Sequence, residues 1–360
     1  MFPELSEEFI EKRLALPAGK LKCVIDTDTY NEVDDQFAVA WALRSPERLD
    51  VLACYAAPYS HDLDPNIPEV APLLQVVKYF PSYCLSPKQG MENSYNELLN
   101  LYSLLGEDPE GKVFRGSEKY IGKEGKPVDS DAARDLIKKA MAMPDDEPLY
   151  VIAIGAITNV ASAILMEPEI IKKIVVVWLG GQPFHFKHGA EFNLVQDIPA
   201  VRVLYDCKVP LVVVPCMSVA SSLTVTPSEL NQYLNGKSKI GSYLSDIVIS
   251  QLGGDAASAY MTSMFLQGSY LMGENDQPEE TIKAFGPPAG TSNSRIIWDI
   301  STVGYVLNPN FALTKLVPSP TINDDSSWGP VDDSRHRIRV CTYLFRDLIF
   351  GDMFSKLDHD

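Results

Sequence analysis

Between Leu21 and Leu43 the chain passes from a short apolar run, through a cluster of acids, into a second apolar run. Leu21 to Ile25 reads as a buried strand, and alternation along it puts Asp26 and Asp28 on the same side as the strand runs out. The apolar run after Asp35 reads as a buried helix, with Asp34 or Asn31 at its N-cap. Leu49 to Ala57 reads as a second buried strand, closed by Pro58-Tyr59-Ser60-His61. Strand, helix and strand within about thirty-five residues mark a βαβ unit, and such units build parallel sheets. Ligands of those sheets gather beyond the carboxyl ends of the strands, so Asp26, Asp28 and Tyr59 share one rim.

The segment from Cys23 to Leu43 carries five acids and no Lys or Arg. Acids are ordinary at turns and helix starts, but a helix needs one cap, and four Asp fall between positions 26 and 35. Carboxylates converging where a strand ends and a helix begins repel one another unless a cation sits among them. A hard divalent metal answers that requirement most economically.

The remaining chain is consistent with such a site. A formal charge of −17 leaves no basic face for a nucleic-acid backbone or an anionic membrane surface, so neither is expected as a partner. A small neutral substrate, or one held through a metal, fits better. The segment Met1 to Glu8 is acidic without an apolar centre, unlike a signal peptide, and no apolar run approaches membrane-spanning length. A cytoplasmic location is the expectation. Six scattered cysteines without a CxxC pair read as reduced, buried small hydrophobes. Five histidines, of which only His185 and His188 are close in sequence, argue against zinc.

Helix-like segments are read at Glu4 to Leu16, Pro72 to Tyr79, Ala132 to Met143, Val160 to Met166 and Pro199 to Asp206, and over most of 227–275. Further strands are read at Leu149 to Ile154, Ile174 to Leu179 and Leu211 to Pro215. Arg295 to Asp299 reads as a last strand exit, followed by a helix from Ile300 to Leu307. Arg337 to Lys356 reads as a strand and a closing helix. No repeat, low-complexity tract or long linker divides the chain. Residues 1–360 therefore read as one α/β domain, in which the weakly patterned stretch 61–146 has the look of an insertion over the rim. The loop Gln182 to Asp197 gathers aromatics, imidazoles, a carboxylate and amides at the same rim.

Taken together, the rim motifs resemble the inosine-uridine-preferring nucleoside hydrolases. They are Asp26-Thr27-Asp28 with Asp34-Asp35, Gly155-Ala156-Ile157-Thr158-Asn159-Val160-Ala161, Leu179-Gly180-Gly181, Ala190-Glu191-Phe192-Asn193 and the Asp299 turn, in family order. The resemblance implies an open, mainly parallel central sheet flanked by helices, one Ca²⁺ at the strand ends, and hydrolysis of the N-glycosidic bond of ribonucleosides to ribose and free base. It implies that Asp28, Asp35, Asp299 and a main-chain carbonyl near Ile154 are calcium ligands, and that Asp28 is also the base that takes a proton from a calcium-bound water. Asp34 would hold ribose hydroxyls, Glu191 and Asn193 would bind the 5′ side of the sugar, and Asp26 would position the others. A nucleoside as partner, a homo-oligomer and a place in purine or pyrimidine salvage follow from the same resemblance. The chemistry is coherent: glycosidic cleavage passes through an oxocarbenium-like state that nearby carboxylates stabilise.

The sequence departs from the family at three places, one being the asparagine often found after the second strand, where Tyr59 and Ser60 stand instead. Thr29 to Val33 make the loop between Asp28 and Asp34 two residues longer than usual, so Asn31 or Glu32 can reach the sugar or the metal. Trp298 precedes Asp299 where many members have a histidine that protonates the leaving base. An aromatic there resembles the purine-preferring members, in which the base stacks. His185 becomes the substitute acid or polar contact, imidazole being the side chain most often used for proton transfer. Two rival readings stand beside this one. A haloacid-dehalogenase-like Mg²⁺ phosphatase would use Asp26 as nucleophile and Asp28 as acid-base residue. A calcium-dependent nucleoside-binding protein without catalysis would retain the site but lack the acid.

Overall fold

The acidic segment lies at the centre of a single large sheet. The computed structural model describes residues 2–67, 70, 74, 77–254, 256, 257, 260, 261, 263, 264 and 293–360. Leu21–Thr27 forms β1, whose residues are all buried from Cys23 onward. Leu49–Ala56 (β2) and Val113–Arg115 (β3) continue the sheet on one side. Leu149–Ala153 (β4), Ile174–Leu179 (β5) and Leu211–Val214 (β6) continue it on the other. Thr224–Val225 (β7) and Arg295–Ile296 (β8) pair with each other in a separate antiparallel ribbon. Ala312–Pro318 (β9) and Arg337–Leu344 (β10) complete the main sheet, whose order is β3-β2-β1-β4-β5-β6-β10-β9. Every neighbouring pair in it is parallel except β9 with β10.

Helices are Glu7–Arg13 (α1), Asp35–Leu43 (α2), Pro87–Leu105 (α3), Asp131–Met141 (α4), Thr158–Met166 (α5), Phe192–Gln196 (α6), Ile198–Asp206 (α7), Pro227–Tyr233 (α8), Lys239–Ile249 (α9), Ile300–Leu307 (α10) and Arg346–Leu357 (α11). They cover both faces of the sheet, as strand alternation demands. Cys23 and Ile25 of β1 join one core, with Phe37 of α2, Leu98 of α3, Val303 of α10 and Phe350 of α11. Val24 joins the other, with Leu136 of α4, Val160 of α5 and Leu204 of α7. The expected α/β architecture with an open, mainly parallel sheet is therefore the one found.

Strands added after β1 run outward in one direction through β2 and β3, and from β4 onward in the other. The reversal between β1 and β4 opens a crevice at their carboxyl ends, where ligands of such sheets bind. Backbone bonds extend the ladders past the strand ends, from Ile154 N–H to the Asp26 carbonyl and from Ala57 N–H to the Thr27 carbonyl, both 2.8 Å. The exits of β1, β2 and β4 are thus held side by side.

Three expectations change. Arg295 to Asp299 does not leave the main sheet; only Arg295 and Ile296 are strand, and they pair with β7. Within 227–275 helices α8 and α9 are broken between them, residues 254, 256, 257, 260, 261, 263 and 264 beyond them are helical, and residues 255, 258, 259, 262 and 265–275 lie outside the described residues. Of Pro72 to Tyr79, residues 72, 73, 75 and 76 also lie outside them, and Val77–Tyr79 is a single 3₁₀ turn. The stretch 61–146 supplies edge strand β3 and helices α3 and α4. No helix among the described residues is long and apolar enough to cross a membrane.

Candidate active site

At the β1/β4 reversal lies a cavity of ≈ 60 Å³. The exit of β1 and the turn into α2 contribute Asp28, Asn31, Glu32, Asp34 and Asp35; the exits of β4 and β5 contribute Ile154 and Leu179. Glu191, Phe192 and Asn193 come from the start of α6, and Trp298 and Asp299 from the turn into α10. Gly155 makes the close approach possible: a Cβ there would stand 3.1 Å from Asp28 Oδ1 and 3.2 Å from its backbone nitrogen.

Each acid is held differently. Asp28 is 2% exposed, and its Oδ2 is buried without a hydrogen-bond partner. Asp34 occupies the N-cap position of α2, as the sequence suggests, yet its side chain makes no capping bond. Its Oδ2 instead accepts from Trp298 N–H at 2.9 Å, tying the acidic turn to the distant 298–299 turn. Asp35 accepts from the Thr27 hydroxyl. Glu191 caps α6, accepting from Asn193 N–H (2.9 Å) and Leu194 N–H (3.2 Å), and also from Gly181 N–H (2.9 Å). The Asn193 amide donates to the carbonyls of Leu179 (3.0 Å) and Ile154 (3.3 Å).

Burial dominates the electrostatics. It raises Asp28 well above the usual carboxylate range, and the charges of Asp35 and Asp34 add to the effect. Asp34 and Asp299 rise well above that range by the same desolvation and mutual repulsion. Asp35 is pushed up to about 6 and Glu191 to about 7, both by burial and against the hydrogen bonds they accept. Carboxylates so placed resist ionising together, and a bound cation removes that resistance. Oxygen atoms of Asp34, Asp35 and Asp299 lie within 4.8 Å of one another. With the unpartnered oxygen of Asp28 on the same walls, the donor set is one of oxygens and fits a hard divalent cation. No histidine lines the cavity, and Cys216, which does, has its thiol pKa driven well up by burial and the acids.

Most sequence-nominated residues converge here: Asp28, Asn31, Asp34, Asp35, Ile154, Glu191, Asn193, Trp298 and Asp299. Asp26 stands behind them, bonded through Oδ1 to the Asn159 amide at 2.8 Å and pushed up to about 7 by burial. His185 is not brought to the acids. It is exposed and lines a separate ≈ 460 Å³ depression with Phe184, Pro215 and Trp328, so the first part of its loop lies apart from the cavity that Glu191 to Asn193 line. Sequence reasoning missed Cys216, which reaches the wall because its N–H bonds the Gly181 carbonyl at 3.0 Å. Its position just past a parallel strand was the available signal.

A family model described as inosine-uridine preferring nucleoside hydrolase matches residues 23–342. The chain belongs to that family. As a nucleoside hydrolase it is an N-glycosidase that hydrolyses ribonucleosides. Among curated relatives, a probable uridine nucleosidase 2 from Arabidopsis thaliana is 24% identical over 272 residues, covering 74% of this chain and 78% of its own. Among solved structures, a plant nucleoside hydrolase, the PpNRh1 enzyme, superimposes with a TM-score of 0.63 at 19% identity, covering 94% of this chain and 99% of its own. A purine-preferring ribonucleoside hydrolase from Gardnerella vaginalis gives a TM-score of 0.63 at 19% identity, covering 94% of this chain and 98% of its own. The phosphatase alternative fails on its nucleophile, since Asp26 is fully buried, bonded to Asn159 and absent from the walls of the nucleoside hydrolase cavity.

Proposed function

We propose that this nucleoside hydrolase works with Ca²⁺ held by Asp28, Asp35, Asp299 and the Ile154 carbonyl, and that Asp28 is the general base. The observation that carries the reading is the Asp28 carboxylate, buried beside three other acids with Oδ2 unpartnered. Bound there, the cation would neutralise the acids and fix sugar hydroxyls in register with the attacking water.

The chain's own groups divide the work. Asp28 takes the proton of the water that attacks the anomeric carbon. Asp34, fixed by Trp298 N–H, accepts from ribose hydroxyls together with Asn31, and Glu191 and Asn193 hold the 5′ side. Asp26 keeps the β1 exit in place through Asn159. The positive charge developing on the ring is stabilised by these carboxylates. With His185 elsewhere, departure of the base depends on Trp298, 7% exposed, as a stacking platform that favours the extended purine ring.

Reducing-sugar release from a panel of purine and pyrimidine ribonucleosides, with calcium and with chelator, tests the whole reading. Asp28→Asn should lose about 10²–10⁴-fold in kcat, the range general bases supply, and chelation should abolish turnover. Undiminished turnover in Asp28→Asn would remove the mechanism, full activity in magnesium without calcium would remove the ion, and faster cleavage of uridine than of inosine or adenosine would remove the purine preference.

A further inference from the structure

The acids of the cavity come from stretches far apart in the chain. Asp28, Asp34 and Asp35 belong to the exit of β1 and the start of α2, whereas Asp299 belongs to the turn into α10. The first stretch is built onto the main sheet. The second follows β8, whose Arg295 and Ile296 pair with Val225 and Thr224 of β7, and Ile297 N–H extends that separate ribbon to the Leu223 carbonyl at 2.9 Å. Oxygens of Asp34, Asp35 and Asp299 nevertheless meet within 4.8 Å. Like charges at that spacing push the two stretches apart until a cation joins them.

Two links oppose that separation. One is the bond from Trp298 N–H to Asp34. The other is an ion pair supplied by the longer loop: Glu32 Oε2 accepts from Arg295 Nη2 at 2.8 Å, with the arginine side chain 3% and the glutamate 25% exposed. Both ends of the pair are anchored. The guanidinium lies over the Tyr260 ring at 3.9 Å, and the Tyr260 hydroxyl accepts from Ile296 N–H at 3.1 Å. On the other side the Glu32 carbonyl accepts from the Gln36 amide of α2 at 3.4 Å, the Asn31 carbonyl accepts from the Ser82 hydroxyl, and Asn31 N–H donates to the Asp28 carbonyl at 2.7 Å. A pull on Glu32 therefore reaches the exit of β1 and the helix that begins at Asp35. Fixing the register of two segments is the best-attested use of a buried charged pair, whose net contribution to stability is small.

We propose that Arg295 is a positioning residue for the cation site, acting through Glu32 as a clamp that keeps Asp299 in register with Asp34 and Asp35 before the cation arrives. The inference rests on the calcium reading given above. The pair carries no net charge, so it draws the two stretches together without competing for the cation. A lone arginine at the same place would repel a divalent ion, and a lone glutamate would add one more acid to a crowded wall.

Calorimetric titration of the chelator-stripped full chain with Ca²⁺ tests the clamp, because geometry and charge predict opposite signs. Arg295→Met removes a positive charge, so by charge alone it should bind calcium more tightly. The clamp predicts weaker binding, by about 10–100-fold, the range for residues that orient metal ligands from behind. Arg295→Lys keeps the charge and should recover most of the loss. The double variant Glu32→Gln/Arg295→Met leaves the net charge unchanged and strands no buried ion; it should lose a similar factor, and it carries the test if Arg295→Met does not fold. Melting temperatures give a second readout. A merely structural role lowers them equally in chelator and in calcium, whereas the clamp also shrinks the rise that calcium produces. Calcium affinity that is unchanged or higher in Arg295→Met and in the double variant, where Asp35→Asn lowers it, overturns the clamp and leaves the calcium reading standing. Absence of calcium binding in the wild type, or binding that Asp35→Asn leaves intact, overturns that reading and this inference together.

Discussion

Among the described residues, six carboxyl groups, those of Asp28, Glu32, Asp34, Asp35, Glu191 and Asp299, share the walls of one ≈ 60 Å³ cavity, and only Glu32 has a cationic side chain paired with it. Their burial makes folding depend on pH in the opposite sense from an ordinary salt-bridged acid. Asp35 lies at about 6 and Glu191 and Asp26 at about 7, whereas an unfolded carboxyl titrates near 4. Between those limits the folded chain holds protons that the unfolded chain has released, so stability falls as pH rises through the window and stays low above it. A divalent cation binds the ionised form and reverses the trend for the cavity acids, while Asp26, outside the cavity, keeps its share. In chelator, thermal melting should therefore move to lower temperature between about pH 5 and about pH 8. Added Ca²⁺ should raise the melting temperature more at the upper pH than at the lower. Equal rises at both would mean that the cation binds somewhere other than among these acids.

The elements that carry the site were legible where their burial is uniform. β1 is a short apolar run between polar flanks, and α2 is buried from Asp35 to Ala42, so both read directly from composition. β9 did not, because it is an antiparallel edge strand whose residues are mostly at least part-exposed and show no apolar run. The Arg295 to Asp299 segment has the look of a strand exit, since it is apolar and ends in Trp and Asp, yet only two of its residues pair. What places it is the bond from Trp298 N–H to Asp34, a contact between positions 264 residues apart that no local pattern encodes. The strand exits themselves leave little room. At Gly155 a Cβ would meet Ala57 Cβ at 3.0 Å and Asp28 Oδ1 at 3.1 Å, so Gly155→Ala must push the β4 exit and Asp28 apart. Overpacking of this kind costs about 1–3 kcal/mol, and if Asp28 is the general base proposed above, kcat should suffer more than KM. Denaturant unfolding with parallel kinetics checks this, and a variant equal to wild type in kcat would show that the neighbouring backbone, rather than Asp28, gives way.

At the scale of the molecule, the reversal of strand order between β1 and β4 fixes where chemistry can happen, and helices far from the crevice hold it open. The ordered motifs made most of this placement readable, because those at Asp26, Gly155 and Leu179 fall at the exits of β1, β4 and β5, whereas the Asp299 turn follows β8 of the separate ribbon. The histidine that the loop 182–197 seemed to offer was not readable in the same way, since its direction depends on packing: the Phe184 ring turns to Trp328 at 4.9 Å, and His185 follows it away from the crevice. The support given by the C-terminal helix is equally invisible locally. Trp41 of α2 is fully buried, and its indole N–H donates to Asp352 of α11 at 2.8 Å across 311 positions. Around that bond Ile349, Phe350 and Met353 are buried in the core that also holds Phe37 and Val303. Asp352→Ala strands a buried donor, which costs about 1–3 kcal/mol. It touches no cavity residue and leaves the α2 backbone packed through Ile349 and Met353. The urea midpoint should therefore fall, while calcium affinity and the KM for adenosine stay at wild-type values. A calcium affinity that drops together with the midpoint would show instead that α11 sets the angle of α2, and with it the spacing of Asp34 and Asp35 at its start.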